Sequence, residues 1–218
     1  MKKGIKRCLI TKCVCIFLLL LLYINISALS YASEVSTHLS DSVFRLHVLA
    51  NSDSEEDQNL KYKVRDAVIN YMESISENVT SKEEVIALAN EHLEDFGTIA
   101  KQVILENGYD YDVSVEIGNF SFPTKNYGDI SLPAGFYDAL RIKIGKAEGQ
   151  NWWCVMFPPL CFVDVSSGIV PEESKEIMQA NLSEEEFDLI SKEDSEITFK
   201  FKILEFLGNM ASTLTAKK

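Results

Sequence analysis

Residues 45 to 66 gather the side chains best suited to chemistry: Arg45, His47, Asn51, Asp53, Asp57, Arg65 and Asp66. An imidazole with two carboxylates suits general acid–base work. One function class is therefore a hydrolase using His47 with Asp53 or Asp57. An arginine beside carboxylates and amides suits recognition instead, because its planar fork reads a partner's carboxylate or backbone with fixed geometry. The same residues can also serve the fold alone, capping a helix and pairing with one another. His38 lies in a polar lead-in, and His92 falls on an apolar helical stripe where a core role is expected. The alternation Asn51-x-Asp53-x-Glu55-x-Asp57 has the look of a calcium loop. Glu56 stands where that loop needs glycine, and Tyr62 where it needs its last acid. No Gly-x-Ser-x-Gly elbow, His-Glu-x-x-His pair or Walker loop occurs, so neither a catalytic residue, a metal nor a cofactor is assigned.

The second concentration is Asn151 to Asp164, with Trp152, Trp153, Cys154, Pro158, Pro159 and Cys161. Neighbours on a strand face opposite ways, so the two tryptophans cannot enter one core layer. Either one of them is a surface anchor for a partner, or both faces of the sheet are covered. Antiparallel pairing about Pro158-Pro159 sets Cys154 opposite Cys161, with Cα atoms about 4.5 to 5.5 Å apart, within a disulfide's reach. Closing that loop stabilises the fold by about 2.5 kcal/mol on the chain-entropy model. Two buried thiols are the alternative.

These clusters need elements to hold them. Phe44, Leu46 and Val48 alternate with Arg45 and His47, which predicts a strand with Arg45 and His47 on one face. Asn51-Ser52-Asp53-Ser54 ends it, and Ser52 with Glu55, or Ser54 with Asp57, caps a helix striped by Leu60, Val64, Val68 and Tyr71. A second helix opens on the Ser81/Glu84 box and runs to Asn107-Gly108. Strands are expected over 113–117 and 140–144, with an irregular stretch over 118–133 between them. A hairpin over 152–157 and 160–165 follows. Helical patterns cover 171–182 and 183–190, then a strand-like run at 197–201 and a short helix at 203–210. The sum is an α/β fold, with α+β as the alternative: a single mixed-sheet domain with flanking helices.

The ends set the compartment. Lys2, Lys3, Lys6, Arg7 and Lys12 precede an apolar run from Cys13 to Ile26, and Ser30-Tyr31-Ala32 fits a signal-peptidase site. Residues 1–32 are expected to be a secretory signal peptide, with a retained signal anchor as the alternative. Residues 33–42 form a flexible lead-in, and 43–218 one globular domain. The signal carries five of the 21 basic residues and none of the 33 acidic ones, leaving 16 against 33 and a net charge of −17. Such a chain repels nucleic acid and anionic lipid, and favours a partner with basic loops. Three of five cysteines lie in the signal, so export leaves the even pair Cys154 and Cys161.

Two long runs carry a family resemblance. Phe44-Arg45-Leu46-His47-Val48-Leu49-Ala50-Asn51-Ser52-Asp53-Ser54, with Asp57-Gln58, Leu60-Lys61 and Lys63-Val64-Arg65-Asp66-Ala67-Val68, resembles the N-terminal signature of the stage II sporulation protein R family. Leu132-Pro133-Ala134-Gly135, Tyr137, Ala139-Leu140-Arg141-Ile142 and the run Asn151 to Asp164 resemble its second signature. The resemblance implies a sporulation signal made in the forespore and exported into the space between forespore and mother cell. There it would activate a membrane-embedded aspartic protease of the mother cell that processes a sigma-factor precursor. It implies a protease activator rather than an enzyme, and no small-molecule substrate. It carries no partner-binding residues over. The expected contacts, Arg45, His47, Asn51, Asp53, Asp57, Arg65, Trp152 and Trp153, rest on the physical reading. Besides the hydrolase, a structural protein of the sporulation septum is the remaining alternative.

Overall fold

Strict alternation makes β1 (Phe44–Leu49) a two-faced strand, and a strand with one aliphatic and one polar-aromatic face needs cover on both sides. The computed structural model describes residues 12, 14–24, 26–27, 37–77, 79–161 and 170–191. In it β1 is an inner strand of a four-stranded mixed sheet, together with β2 (Val113–Phe122), β5 (Gly135–Ile144) and β6 (Asn151–Phe157). The order is β2-β5-β1-β6: β1 runs parallel to β5 and antiparallel to β6, and β5 runs antiparallel to β2. A small hairpin of β3 (Lys125–Tyr127) and β4 (Ile130–Leu132) lies between β2 and β5 in the chain. The fold is α/β with flanking helices.

The first face receives helices. In α1 (Glu55–Ile75), Leu60, Val64, Val68 and Met72 recur every fourth residue and are buried. They meet Phe44, Leu46, Val48, Leu140, Ile142 and Cys154 of the sheet in one core, joined by α2 (Lys82–Glu91) and α3 (Leu93–Glu106). The second helix of the sequence is in fact these two. The chain leaves helical geometry at His92, whose Nδ1 lies 2.7 Å from Asp95 and 2.8 Å from the Tyr71 hydroxyl. This imidazole holds a helix junction rather than filling the core.

The second face carries a smaller core. Phe122, Tyr137, Ala139 and Val155 are covered by β4, by α4 (Glu172–Asn181) and by α5 (Glu184–Ser191) through Ile130, Leu132, Met178 and Ile190. Residues 37–42, expected as flexible lead-in, form a helical turn that buries Leu39 here, tied by His38 Nδ1 to Glu186 at 2.8 Å. The stretch 118–133, expected to be irregular, continues β2 to Phe122 and then forms the hairpin; Phe120 and Phe122 alternate in the opposite phase from Val113, Val115 and Ile117, so this half of the strand turns its apolar side to the second core. Ser183 and Glu186 make the expected reciprocal cap of α5. Of the returning strand expected at 160–165, Leu160 and Cys161 lie in the turn after β6 rather than in a strand and 162–165 lie outside the described residues, as do the run at 197–201 and the helix at 203–210. Described residues 14–24 of the N-terminal segment are helical, with their apolar side chains exposed. No helix among the described residues is long and apolar enough to cross a membrane.

Candidate functional site

The structure parts the first cluster in two. Asn51, Ser52, Asp53, Ser54 and Asp57 build a clasp where β1 passes into α1. Ser54 is the N-cap, its hydroxyl accepting from the Asp57 N–H at 3.2 Å. The Asp57 carboxylate accepts from Asn51 Nδ2 at 2.7 Å and from the Ser52 hydroxyl. Asn51 Oδ1 accepts from the Lys146 N–H at 3.0 Å, and Asp53 Oδ1 from the Gln150 N–H at 2.6 Å. Backbone bonds from Glu148 and Gly149 to Asn51 and Ala50 finish the seam. The motif thus fastens the β5–β6 turn to the start of α1. Two glycines permit it: a Cβ on Gly145, which has φ +56°, would strike the Asn51 amide, and one on Gly149 would strike the Ser52 carbonyl. Lys61 is buried against the same turn and donates to the Gln150 carbonyl at 3.0 Å.

Burial pulls Asp57 towards its neutral form, but hydrogen bonds from Ser52, Asn51 and Tyr111 outweigh it and hold the carboxyl below its ordinary value. A carboxylate so saturated with donors is a poor base. It is an anchor, and its charge sits at the positive end of α1.

Arg45 and His47 share a face as the spacing predicts, but that face is interior. Arg45 is 0% exposed. Its guanidinium lies 4.1 Å from the ring centroid of Phe122 and 4.6 Å from that of Tyr137, and it donates to the Tyr127 hydroxyl at 2.6 Å. Among the described residues its Nε and Nη1 have no hydrogen-bond partner. Aromatic faces take the place of a carboxylate, which a weakly hydrated guanidinium tolerates better than an ammonium. Burial raises Tyr127 and pushes Tyr137 up to about 12, so both phenols stay neutral beside the cation.

His47 is 8% exposed, stacks on Trp153 at 5.6 Å and donates from Nε2 to Asn151 Oδ1 at 2.8 Å. Its pKa is lowered, first by burial and then by the charges of Arg141, Arg45 and Lys143, against the raising effect of the Asn151 bond. The ring is held neutral, its bonded partner is an amide, and Asp53 and Asp57 are committed to the clasp. This corrects the pairing of His47 with Asp53 or Asp57 that an acid–base centre requires. The interior placement of Arg45 and His47 also gives them no surface to offer a partner in this conformation.

The tryptophans divide as strand geometry demands, and both faces are covered. Trp152 packs on the helical side, Trp153 on the other. Arg65 covers Trp152, its Cζ 4.2 Å from a ring centroid, while binding Asp66 at 2.6 Å. Tyr62 meets Trp152 edge-on at 5.5 Å and is itself exposed. Of the expected contacts, Asp53 is exposed and Asn51, Arg65, Trp152 and Trp153 are half-buried, whereas Arg45, His47 and Asp57 are buried. Cys154 and Cys161 form a disulfide, with Cα atoms 5.2 Å apart, at the end of β6. Sequence patterns missed two features: the aromatic cage of Arg45, assembled from three strands, and the chain Arg141–Glu116–Lys143, at 2.8 and 2.7 Å, across β2 and β5. The cross-strand register that pairs Glu116 with Arg141 was the missing signal.

The residues of the clasp, the Arg45 cage and the disulfide all fall inside one matched segment. The family model described as Stage II sporulation protein R matches residues 40–167. The chain belongs to that family. A protein named Stage II sporulation protein R, from Bacillus subtilis (strain 168), is 38% identical over 174 residues, covering 76% of this chain and 77% of its own. No solved structure matches. In this chain the signature that spans β1 and the start of α1 serves the fold: Asn51, Ser52, Asp53, Ser54 and Asp57 are spent on the clasp, and Arg45 and His47 on the interior.

Proposed function

We propose that this chain is an exported signal of endospore formation, made in the forespore. It crosses into the space between forespore and mother cell and activates a membrane-embedded aspartic protease that processes a sigma-factor precursor. Family membership over residues 40–167 is the observation that carries this function. The N-terminal segment supports it, because five basic residues followed by an apolar run have the order of an export signal. A role as a ligand rather than a catalyst is supported by His47, which is held neutral against an amide. Activation then requires that the domain bind the active state of the protease more tightly than the resting one.

The test is co-expression of the exported chain, the protease and the precursor in a host that does not sporulate. Precursor cleavage is expected only with all three. Cleavage that proceeds equally without this chain overturns the proposal.

A further inference from the structure

The far end of α1 opens on a groove of about 300 Å³, bounded by β6, the Pro158–Pro159 turn and α4. Its floor is apolar: Met72, Val85, Val155 and Phe157 are buried beneath it, and Met156 and Ile177 flank it half-buried. Cys161 of the disulfide forms part of the wall. The rim is acidic, with Glu73 and Glu77 at the end of α1 and Glu173 at the start of α4, all exposed. Among the described residues none of the three has an ion pair or a side-chain hydrogen bond.

Two of these acids stand where the fold disfavours them. The C-terminal end of a helix carries the negative pole of its dipole and prefers cations. The last turn of α1 has no basic residue, holds Glu73, and is followed by Glu77. Stability alone would place lysine or arginine there. An apolar hollow ringed by uncompensated negative charge is complementary to one kind of occupant.

We infer that this groove is where the signal meets its partner, and that it takes a basic amphipathic protein segment, an apolar side chain seated in the hollow with lysine or arginine flanking it. A second copy of this chain would bring a like-charged rim, and an anionic membrane would be repelled. The inference rests on the signalling function proposed above.

The test uses the full chain with three exposed acids reversed, Glu73→Lys/Glu77→Lys/Glu173→Lys, in the three-component cleavage system. Cleavage is expected to fall by about tenfold or more. Reversal of three exposed acids on α2 and α3, Glu91→Lys/Glu94→Lys/Glu106→Lys, is expected to leave it within about twofold. Ser76→Phe, which plugs the groove without changing its charge, should also lose cleavage. The rim variant should melt close to the temperature of the parent, since lysine at 73 and 77 suits the end of α1 while lysine at 173 opposes the dipole in the first turn of α4.

A second arm needs no protease: titration with a synthetic leucine–lysine peptide of helical periodicity. The parent should bind it more tightly than either the rim variant or Ser76→Phe, and should not bind the leucine–glutamate counterpart. If the parent fails to promote cleavage, the signalling function falls and the peptide arm judges the groove. Cleavage by the rim variant at the parent level, equal peptide binding by all forms, or a groove-dependent dimer overturns the inference.

Discussion

The two ends of α1 treat acidic residues in opposite ways. At the start, Glu55, Glu56 and Asp57 lie at the favourable pole, and the buried Asp57 is enclosed by Asn51, Ser52 and the Ser54 cap. At the finish, Glu73 and Glu77 lie at the unfavourable pole with no basic residue in the last turn. The first end is complete in itself. Among the described residues the second has no such partners, and in the groove proposal the protein that docks there supplies them. Polar residues that find all their partners internally explain a fold, whereas those left in electrostatically poor positions point outward.

That contrast can be broken at the clasp first. Gly149→Ala drives a Cβ into the Ser52 carbonyl, a backbone atom that cannot swing away, and should cost about 3 kcal/mol in denaturant unfolding. Reduction of Cys154–Cys161 at the other end should cost about 2.5 kcal/mol by the same measurement and loosen the wall of the groove. Asn51→Ala removes the bonds to Asp57 and to Lys146 and should cost roughly 2 kcal/mol, while cleavage per folded molecule stays unchanged. A loss of cleavage without a loss of stability in Asn51→Ala would mean that the clasp, too, faces the partner.

Acid separates the regions further. His47 and Asp57 both have folded pKa values below their ordinary ones, so the unfolded chain takes up protons first and stability falls as pH falls. The His47 contribution is full above its ordinary 6.5 and declines below it, and the Asp57 contribution begins to decline only near 3.8. His47→Gln should flatten the stability profile just below 6.5 and leave the acid limb in place. Asp57→Asn should flatten the acid limb. The smallest effect is expected at the groove, where Glu73→Gln/Glu77→Gln should raise stability by a few tenths of a kcal/mol. A fall there would show that these acids serve the fold after all.

The sequence alone made the local elements legible. The alternation of Phe44, Leu46 and Val48 named β1 and the shared face of Arg45 and His47. The paired caps Ser52/Glu55 or Ser54/Asp57 and the stripe of Leu60, Val64, Val68 and Tyr71 named α1, and the spacing of Cys154 and Cys161 about two prolines named the disulfide. These signals are local, arising from backbone periodicity, capping and chain reach, which neighbouring residues fix by themselves. The family, too, was legible in its two long runs.

What Arg45 and His47 do with their face depended on strands distant in the chain. Phe122, Tyr127 and Tyr137 turn that face into an aromatic interior, and Asn151 rather than an aspartate meets the imidazole. The groove likewise exists only because α4 and the turn after β6 come to rest beside the end of α1. A residue's type and spacing determine which way it points. Whether it meets a ring, a charge or water is decided by register and packing between segments far apart in sequence, and those are properties of the folded chain alone.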